Sequence, residues 1–176
     1  MIIYFLRHAS AGKTYSNPTK DERRPLDDEG MLQARYTGRM LANLDVQVEQ
    51  IISSPLKRAL QTASLVANEL AFEGEVQRDD ALRPESEFAQ FQAMVARYRK
   101  YEAIMVVGHN PSLTEFLTKA VSSASGAAHI EVKKGAVAKV EMNGRSGTLQ
   151  WLVTARIARS LQASLKASSR PKTSRK

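Results

Sequence analysis

Arg7 with His8, Arg58 and His109 are the residues whose types and positions could do chemistry, because each is delivered by a short apolar run of buried-strand type. Arg7-His8 ends the run Met1-Ile2-Ile3-Tyr4-Phe5-Leu6, and His109 ends Ile104-Met105-Val106-Val107-Gly108. In open α/β sheets the carboxyl ends of the strands face the ligand crevice. A guanidinium and a neutral imidazole delivered there suit an anionic substrate, with histidine able to act as a nucleophile near neutral pH. Arg58 follows Gln50-Ile51-Ile52-Ser53-Ser54-Pro55, a strand that breaks at Ser-Pro and continues as a helix. Ser54 suits the N-cap and Pro55 the first helical position, which puts Arg58 in the first turn beside the positive end of the dipole. After His109, either Asn110 caps a helix at Pro111, or Ser112 caps one with Glu115 completing a capping box. A lone histidine is more often structural than catalytic; three strand ends carrying the same chemistry change that reading.

The elements that must position these groups follow from periodicity. Strands are expected at 1–7, 49–53, 75–78, 103–108, 129–133, 136–142 and 148–154, with helical patterns filling most gaps. Ala34, Thr37, Leu41 and Leu44 form one stripe and Leu56, Leu60, Ala63, Ala67 and Leu70 another. Phe88, Phe91, Val95 and Tyr98, then Leu113, Phe116, Leu117 and Ala120, form two more, all read as core. Strands alternate with helices to about residue 120, which predicts a mainly parallel sheet covered on both faces, a three-layer α/β/α sandwich. Tight connections at 133–136 and 143–147 add antiparallel pairing at the end. Between Ala11 and Leu26 a polar loop is long enough to border the site and move. Within it Asn17 has no assigned role, and Arg24 either pairs with Asp27 or Asp28 or lines the site rim. His129, between Ala128 and Ile130, reads as structural.

Composition narrows the chemistry. The chain has 176 residues, enough for one domain with a proper core, and no cysteine, which removes disulfides, zinc-thiolate sites and a thiol nucleophile. That usage fits a reducing, cytoplasmic compartment; no segment approaches the roughly 18 apolar residues of a membrane span, and the N-terminus has no signal-peptide pattern. No carboxylate or histidine cluster has metal-ligand spacing, so neither a metal nor a cofactor is expected. The net charge of +8 is local: eight cations and no acid follow Glu141, leaving 18 of each sign before it. Residues 1–163 are therefore read as the folded domain and 164–176 as a basic, disordered tail. Without an aromatic to stack on bases, the tail is not expected to bind nucleic acid.

The order Arg7-His8-Ala9, then Ser54-Pro55-Leu56-Lys57-Arg58-Ala59-Leu60-Gln61-Thr62, then Gly108-His109 resembles the histidine phosphatase superfamily with its phosphoglycerate-mutase-like fold. Arg24-Pro25-Leu26 before Gly30 and Gln33-Ala34, Leu82-Arg83-Pro84, Gly108-His109-Asn110-Pro111 and Trp151-Leu152 are similar to the short SixA-type phosphohistidine phosphatases. The likeness spans about residues 1 to 158. It implies a metal-independent phosphatase in which His8 becomes phosphorylated, its second ring nitrogen held by a backbone carbonyl. Arg7, Arg58 and His109 would bind and stabilise the phosphoryl oxygens. Larger members add a glutamate general acid; Glu85 is the candidate here and Glu87 its neighbour, though Pro-Glu-Ser-Glu is equally an ordinary helix start. The implied partner is a phosphohistidine-bearing protein such as a phosphotransfer domain, met by a monomer. A small phosphomonoesterase of the same fold, and a non-catalytic anion-binding module using the basic tail, are the alternatives.

Overall fold

The computed structural model describes residues 1–122, 129–144 and 146–168. Its strands are β1 (Ile2–Arg7), β2 (Gln50–Ser53), β3 (Gln77–Arg78), β4 (Ala103–Gly108), β5 (Val137–Asn143) and β6 (Ser146–Val153). They form one sheet in the order β3-β2-β4-β1-β5-β6. The first four in that order run parallel, while β5 pairs antiparallel with β1 and β6 antiparallel with β5. The helices are α1 (Pro18–Glu22), α2 (Asp28–Asn43), α3 (Lys57–Glu69), α4 (Phe88–Arg97), α5 (Ser112–Val121) and α6 (Ala155–Ser168).

Alternation along the central strands builds two cores, one on each face. Ile3 and Phe5 of β1 and Ile104 and Val106 of β4 pack with Phe91 and Met94 of α4 and Leu113 and Phe116 of α5. Tyr4, Leu6, Met105 and Val107 face the other way, onto Met40 and Leu41 of α2, Ala59, Ala63 and Val66 of α3, and Ala158 of α6. The expected three-layer α/β/α sandwich is therefore the observed architecture, with helices on both faces of a mixed sheet. Each fully buried apolar side chain contributes roughly 1.5–3 kcal/mol relative to exposure, and Phe5, Leu6, Ile104 and Val107 are all at 0 % exposure.

Several local expectations give way to tertiary context. No strand forms at 129–133: both edges of β1 are taken, by β4 and β5, and the Val132 carbonyl accepts instead from Arg7 Nη1 at 2.9 Å and Asn110 Nδ2 at 3.1 Å. His129 is exposed on that irregular segment rather than on a strand, and Ala128 lies outside the described residues. Helix α3 begins at Lys57, because the Ser54 N–H still donates to Val107 O at 2.9 Å and keeps Ser54 extended beyond β2. Neither capping reading for α5 holds: Pro111 is its N-cap, the Ser112 hydroxyl donates to the carbonyls of Arg83 and His109, and Asn110 bonds Val132 O and Thr114. Leu44, the C-cap of α2, is 55 % exposed and leaves the stripe. The polar loop contains α1, whose N-cap Asn17 accepts from Lys20 N at 3.0 Å, as Asn-Pro at a helix start permits. Helix α6 continues to Ser168, five residues into the segment read as a tail; residues 169–176 of that segment lie outside the described ones.

Two glycines hold the backbone around His8. Gly135, at φ +70°, donates its N–H to the Arg7 and His8 carbonyls at 3.1 and 3.2 Å. Gly30 in the first turn of α2 lies against the segment leaving His8: a Cβ there would sit 1.9 Å from Ser10 O. Gly30→Ala must displace that backbone and is expected to cost about 1–3 kcal/mol, read as a lowered midpoint in urea unfolding. Removing residues 169–176, by contrast, is expected to leave the midpoint and turnover of a small phosphate ester unchanged while weakening salt-sensitive association with acidic proteins; loss of turnover by a truncated chain of native circular dichroism would place the tail at the site.

Candidate active site

Strand register brings the candidate residues together. Arg7 is paired with Gly108 and Ser53 with Val107, so the segments Arg7-His8, Ser53-Ser54 and Gly108-His109 leave the sheet at one edge, the carboxyl ends of β1, β2 and β4. Arg58 joins them from the first turn of α3. The His8 and His109 rings lie 4.8 Å apart between centroids, tilted by 48°. His8, Arg58 and His109 are all buried, at 7, 5 and 2 % exposure.

Each side chain is oriented by a named partner. His8 Nδ1 is 2.7 Å from the Ala9 carbonyl, an acceptor only, so Nδ1 carries the proton and Nε2 is left with its lone pair. His109 Nε2 lies 2.9 Å from Ser54 Oγ. Arg58 Nη1 donates to the Asp21 carbonyl at 2.9 Å and to its carboxylate at 3.2 Å. Thr62 Oγ1 ties the elements, donating to Arg58 O at 2.7 Å and accepting from Ala9 N at 3.1 Å. Among the described residues, three buried side-chain nitrogens have no hydrogen-bond partner: Arg7 Nε, Arg58 Nε and His109 Nδ1. Buried donors left unpaired are costly, so their concentration here marks a place where a multi-oxygen anion would complete the bonding.

Electrostatics sets the protonation states. Burial drives the His8 pKa down to about 3, the hydrogen bond to Ala9 O opposing it, and the Arg58, Arg7 and Lys134 charges lowering it further. Burial likewise takes His109 down to about 2, assisted by His8, Arg58, Arg7 and Arg24. Both imidazoles are neutral near pH 7, and a neutral ring with a directed lone pair can attack phosphorus. Burial, then the Arg24 cation, lowers the Arg58 pKa, with Asp21 and Glu85 opposing; arginine nonetheless stays charged.

Asp21 is the residue that sequence reasoning missed. It accepts from Arg24 Nε at 2.8 Å as well as from Arg58, so two cations share one carboxylate. Burial pushes its pKa up, but the bonds from Arg24 and Tyr15 N and the Arg58 charge outweigh this and leave it below the ordinary carboxylate value. Its spacing three residues before Arg24 was a usable signal. Arg24 pairs with Asp21, not with Asp27 or Asp28, and also donates to the Ala11 carbonyl at 2.6 Å. Asp27 instead caps α2 and accepts from Ser10 Oγ and Gly12 N at 2.8 and 2.7 Å, which ties down the loop after His8. Of the two glutamates, Glu87 is the N-cap of α4, its N–H donating to Gln90 Oε1 at 2.8 Å, whereas Glu85 acts on Arg58 through its charge. Among the described residues no group of three or more His, Cys, Asp or Glu side chains could hold a metal ion, and no helix is long and apolar enough to cross a membrane.

The sequence profile of the histidine phosphatase superfamily (branch 1) matches residues 3–97. An uncharacterized protein of Picosynechococcus sp. is 31 % identical over 140 residues, covering 78 % of this chain and 82 % of its own length. The structure of the protein histidine phosphatase SixA complexed with tungstate is similar at a TM-score of 0.80 and 21 % identity, over 89 % of this chain and 99 % of that one. The alpha-ribazole phosphatase of Shigella flexneri is similar at a TM-score of 0.70 and 18 % identity, over 88 % of this chain and 97 % of that one. At such identities the two structures speak for the fold. The profile, which covers more than half of the chain and takes in the strand-borne Arg7-His8 and the helix-borne Arg58, makes this protein a member of the histidine phosphatase superfamily.

Proposed function

We propose that this chain is a SixA-type phosphohistidine phosphatase that works through a covalent phospho-His8 intermediate and needs no metal. The observation that carries the reading is the His8 Nδ1 contact with Ala9 O at 2.7 Å, which leaves Nε2 unprotonated and next to the His109 ring. In the first step Nε2 forms a bond to phosphorus as the bond from phosphorus to the substrate nitrogen breaks, and the departing imidazole takes up a proton from solvent, which the attacking water gives back in the second step. In the second, water attacks phospho-His8, releasing inorganic phosphate and restoring the neutral ring. Arg7, Arg58 and His109 stabilise the charge that spreads over the phosphoryl oxygens, the part a metal ion would otherwise take.

The preference for a phosphohistidine protein, such as a phosphotransfer domain, rests on leaving-group chemistry and on the likeness to SixA. An imidazole leaves readily, so little acid catalysis is required. Between β1 and α2 the only regular element is the five-residue α1, so few insertions cover the site. A cysteine-free chain acting as a monomer in the cytoplasm fits this role. A second reading, hydrolysis of small phosphomonoesters with Glu85 as the candidate general acid for an alkoxide, is favoured by the likeness to the alpha-ribazole phosphatase of Shigella flexneri.

His8→Ala is expected to lose both the phosphoenzyme and turnover, Arg58→Ala to lower kcat by roughly 10²–10³-fold, and EDTA to change nothing; strict dependence on an added divalent metal would remove the mechanism. Rates on a phosphohistidine protein should exceed those on small monoesters, with Glu85→Gln nearly silent. Faster monoester turnover that Glu85→Gln abolishes would establish the second reading.

The buried histidines also predict how stability depends on pH. Their folded-state pKa values, about 3 and about 2, lie below the unfolded value of 6.5, so the unfolded chain binds more protons as pH falls below 6.5. Their contribution is complete above about pH 6.5 and is lost progressively as pH falls through the folded values. Urea midpoints should decline from pH 7 to pH 5, before most carboxylates titrate, and the decline should be shallower in His8→Gln/His109→Gln.

A further inference from the structure

His109 differs from His8 in how its ring is held. The orienting partner of His8 is a carbonyl, which can only accept. That of His109 is a hydroxyl, which can either donate or accept, so the tautomer depends on where the hydroxyl proton goes. Ser54 is 0 % exposed and its backbone is fixed, N–H on Val107 O at 2.9 Å and carbonyl accepting from Ser53 Oγ at 3.0 Å. Its oxygen accepts from Leu56 N at 3.4 Å. Among the described residues the only acceptor within bonding reach of its proton is His109 Nε2, at 2.9 Å.

We infer that Ser54 is a positioning residue that fixes the tautomer of His109, donating its hydroxyl proton to Nε2 so that the ring proton sits on Nδ1, the nitrogen offered to the transferring phosphoryl group. The opposite arrangement leaves the buried Ser54 proton without an acceptor. It also makes Nδ1, buried and unpartnered, a bare lone pair that would repel phosphoryl oxygens. A doubly protonated ring would add a third charge beside Arg7 at the end of β1 and Arg58 on α3, with Arg24 contributing from beyond α1 and the His8 ring alongside. A single proton on Nδ1 therefore makes His109 a hydrogen-bond donor without making it a cation. Pro55, which has no N–H, follows Ser54 and leaves Leu56 as the next donor to the hydroxyl oxygen.

This role depends on the phosphoryl-transfer reading for its purpose but not for its measurement. The chain has three histidines, so the ring nitrogens of the ¹⁵N-histidine-labelled protein can be assigned by comparison with His8→Gln and His109→Gln. At pH 7, without ligand, the wild-type His109 spectrum should show a protonated Nδ1 and an unprotonated Nε2. In Ser54→Ala the proton should move, wholly or in part, to Nε2, and kcat should fall by about 10²-fold with little change in KM, as when one donor to a transition-state oxygen is lost. A proton on Nε2 in the wild type, or an unchanged Nδ1 proton in Ser54→Ala, overturns the inference. The wild-type spectrum decides even if Ser54→Ala does not fold, and a chain with the expected tautomer but no phosphatase activity would overturn the proposed function alone.

Discussion

Parallel pairing of β1 with β4, in the register that sets Arg7 beside Gly108, is the constraint on which the rest of the site depends. Residues one position beyond each strand are then His8 and His109, whose rings end 4.8 Å apart. A shift by one residue would turn Ile3 and Phe5 toward the wrong core and Tyr4 and Leu6 toward the other. The two apolar faces thus lock the histidine pair in place, and the same burial that fixes the register also keeps both imidazoles neutral. Stability and reactivity share one cause here.

Gathering cations at the edge of a sheet has an electrostatic cost, and the chain meets it locally. Arg58 and Arg24 both bond the Asp21 carboxylate, which the short helix α1 brings over the site. Because Asp21 lies in the cap of the site rather than in the sheet, the loop between Ser10 and Asp27 does more than border the cleft. It supplies the carboxylate that Arg58 bonds. Asp27 and Gly30 anchor that loop at its other end, against the backbone that leaves His8.

A similar division of labour appears at Ser54. Its type suits a helix N-cap, yet the sheet holds its N–H on Val107 O, and its hydroxyl is left for His109. The residue that follows β2 thereby meets the ring that follows β4, because the two strands are neighbours. The irregular segment around Val132 shows the same effect: its carbonyl serves Arg7 and Asn110 because neither edge of β1 is open to it.

Much of this was legible without a structure. Apolar strands and amphipathic helices leave few ways to bury their faces, so the sandwich could be read from the residues, and Arg7, His8, Arg58 and His109 stood out because they lie where strands and helices meet. Periodicity reports local structure, so it found α2 to α5 but misread 129–133, whose strand-like residues meet β1 where both of its edges are taken. The fold alone brought Asp21 to Arg58 as well as to Arg24, set Glu85 where its charge bears on Arg58, and placed Ser54 against His109. Those contacts join residues as much as 55 positions apart, and a hydrogen bond across that distance depends on where two backbones meet, which no local pattern encodes.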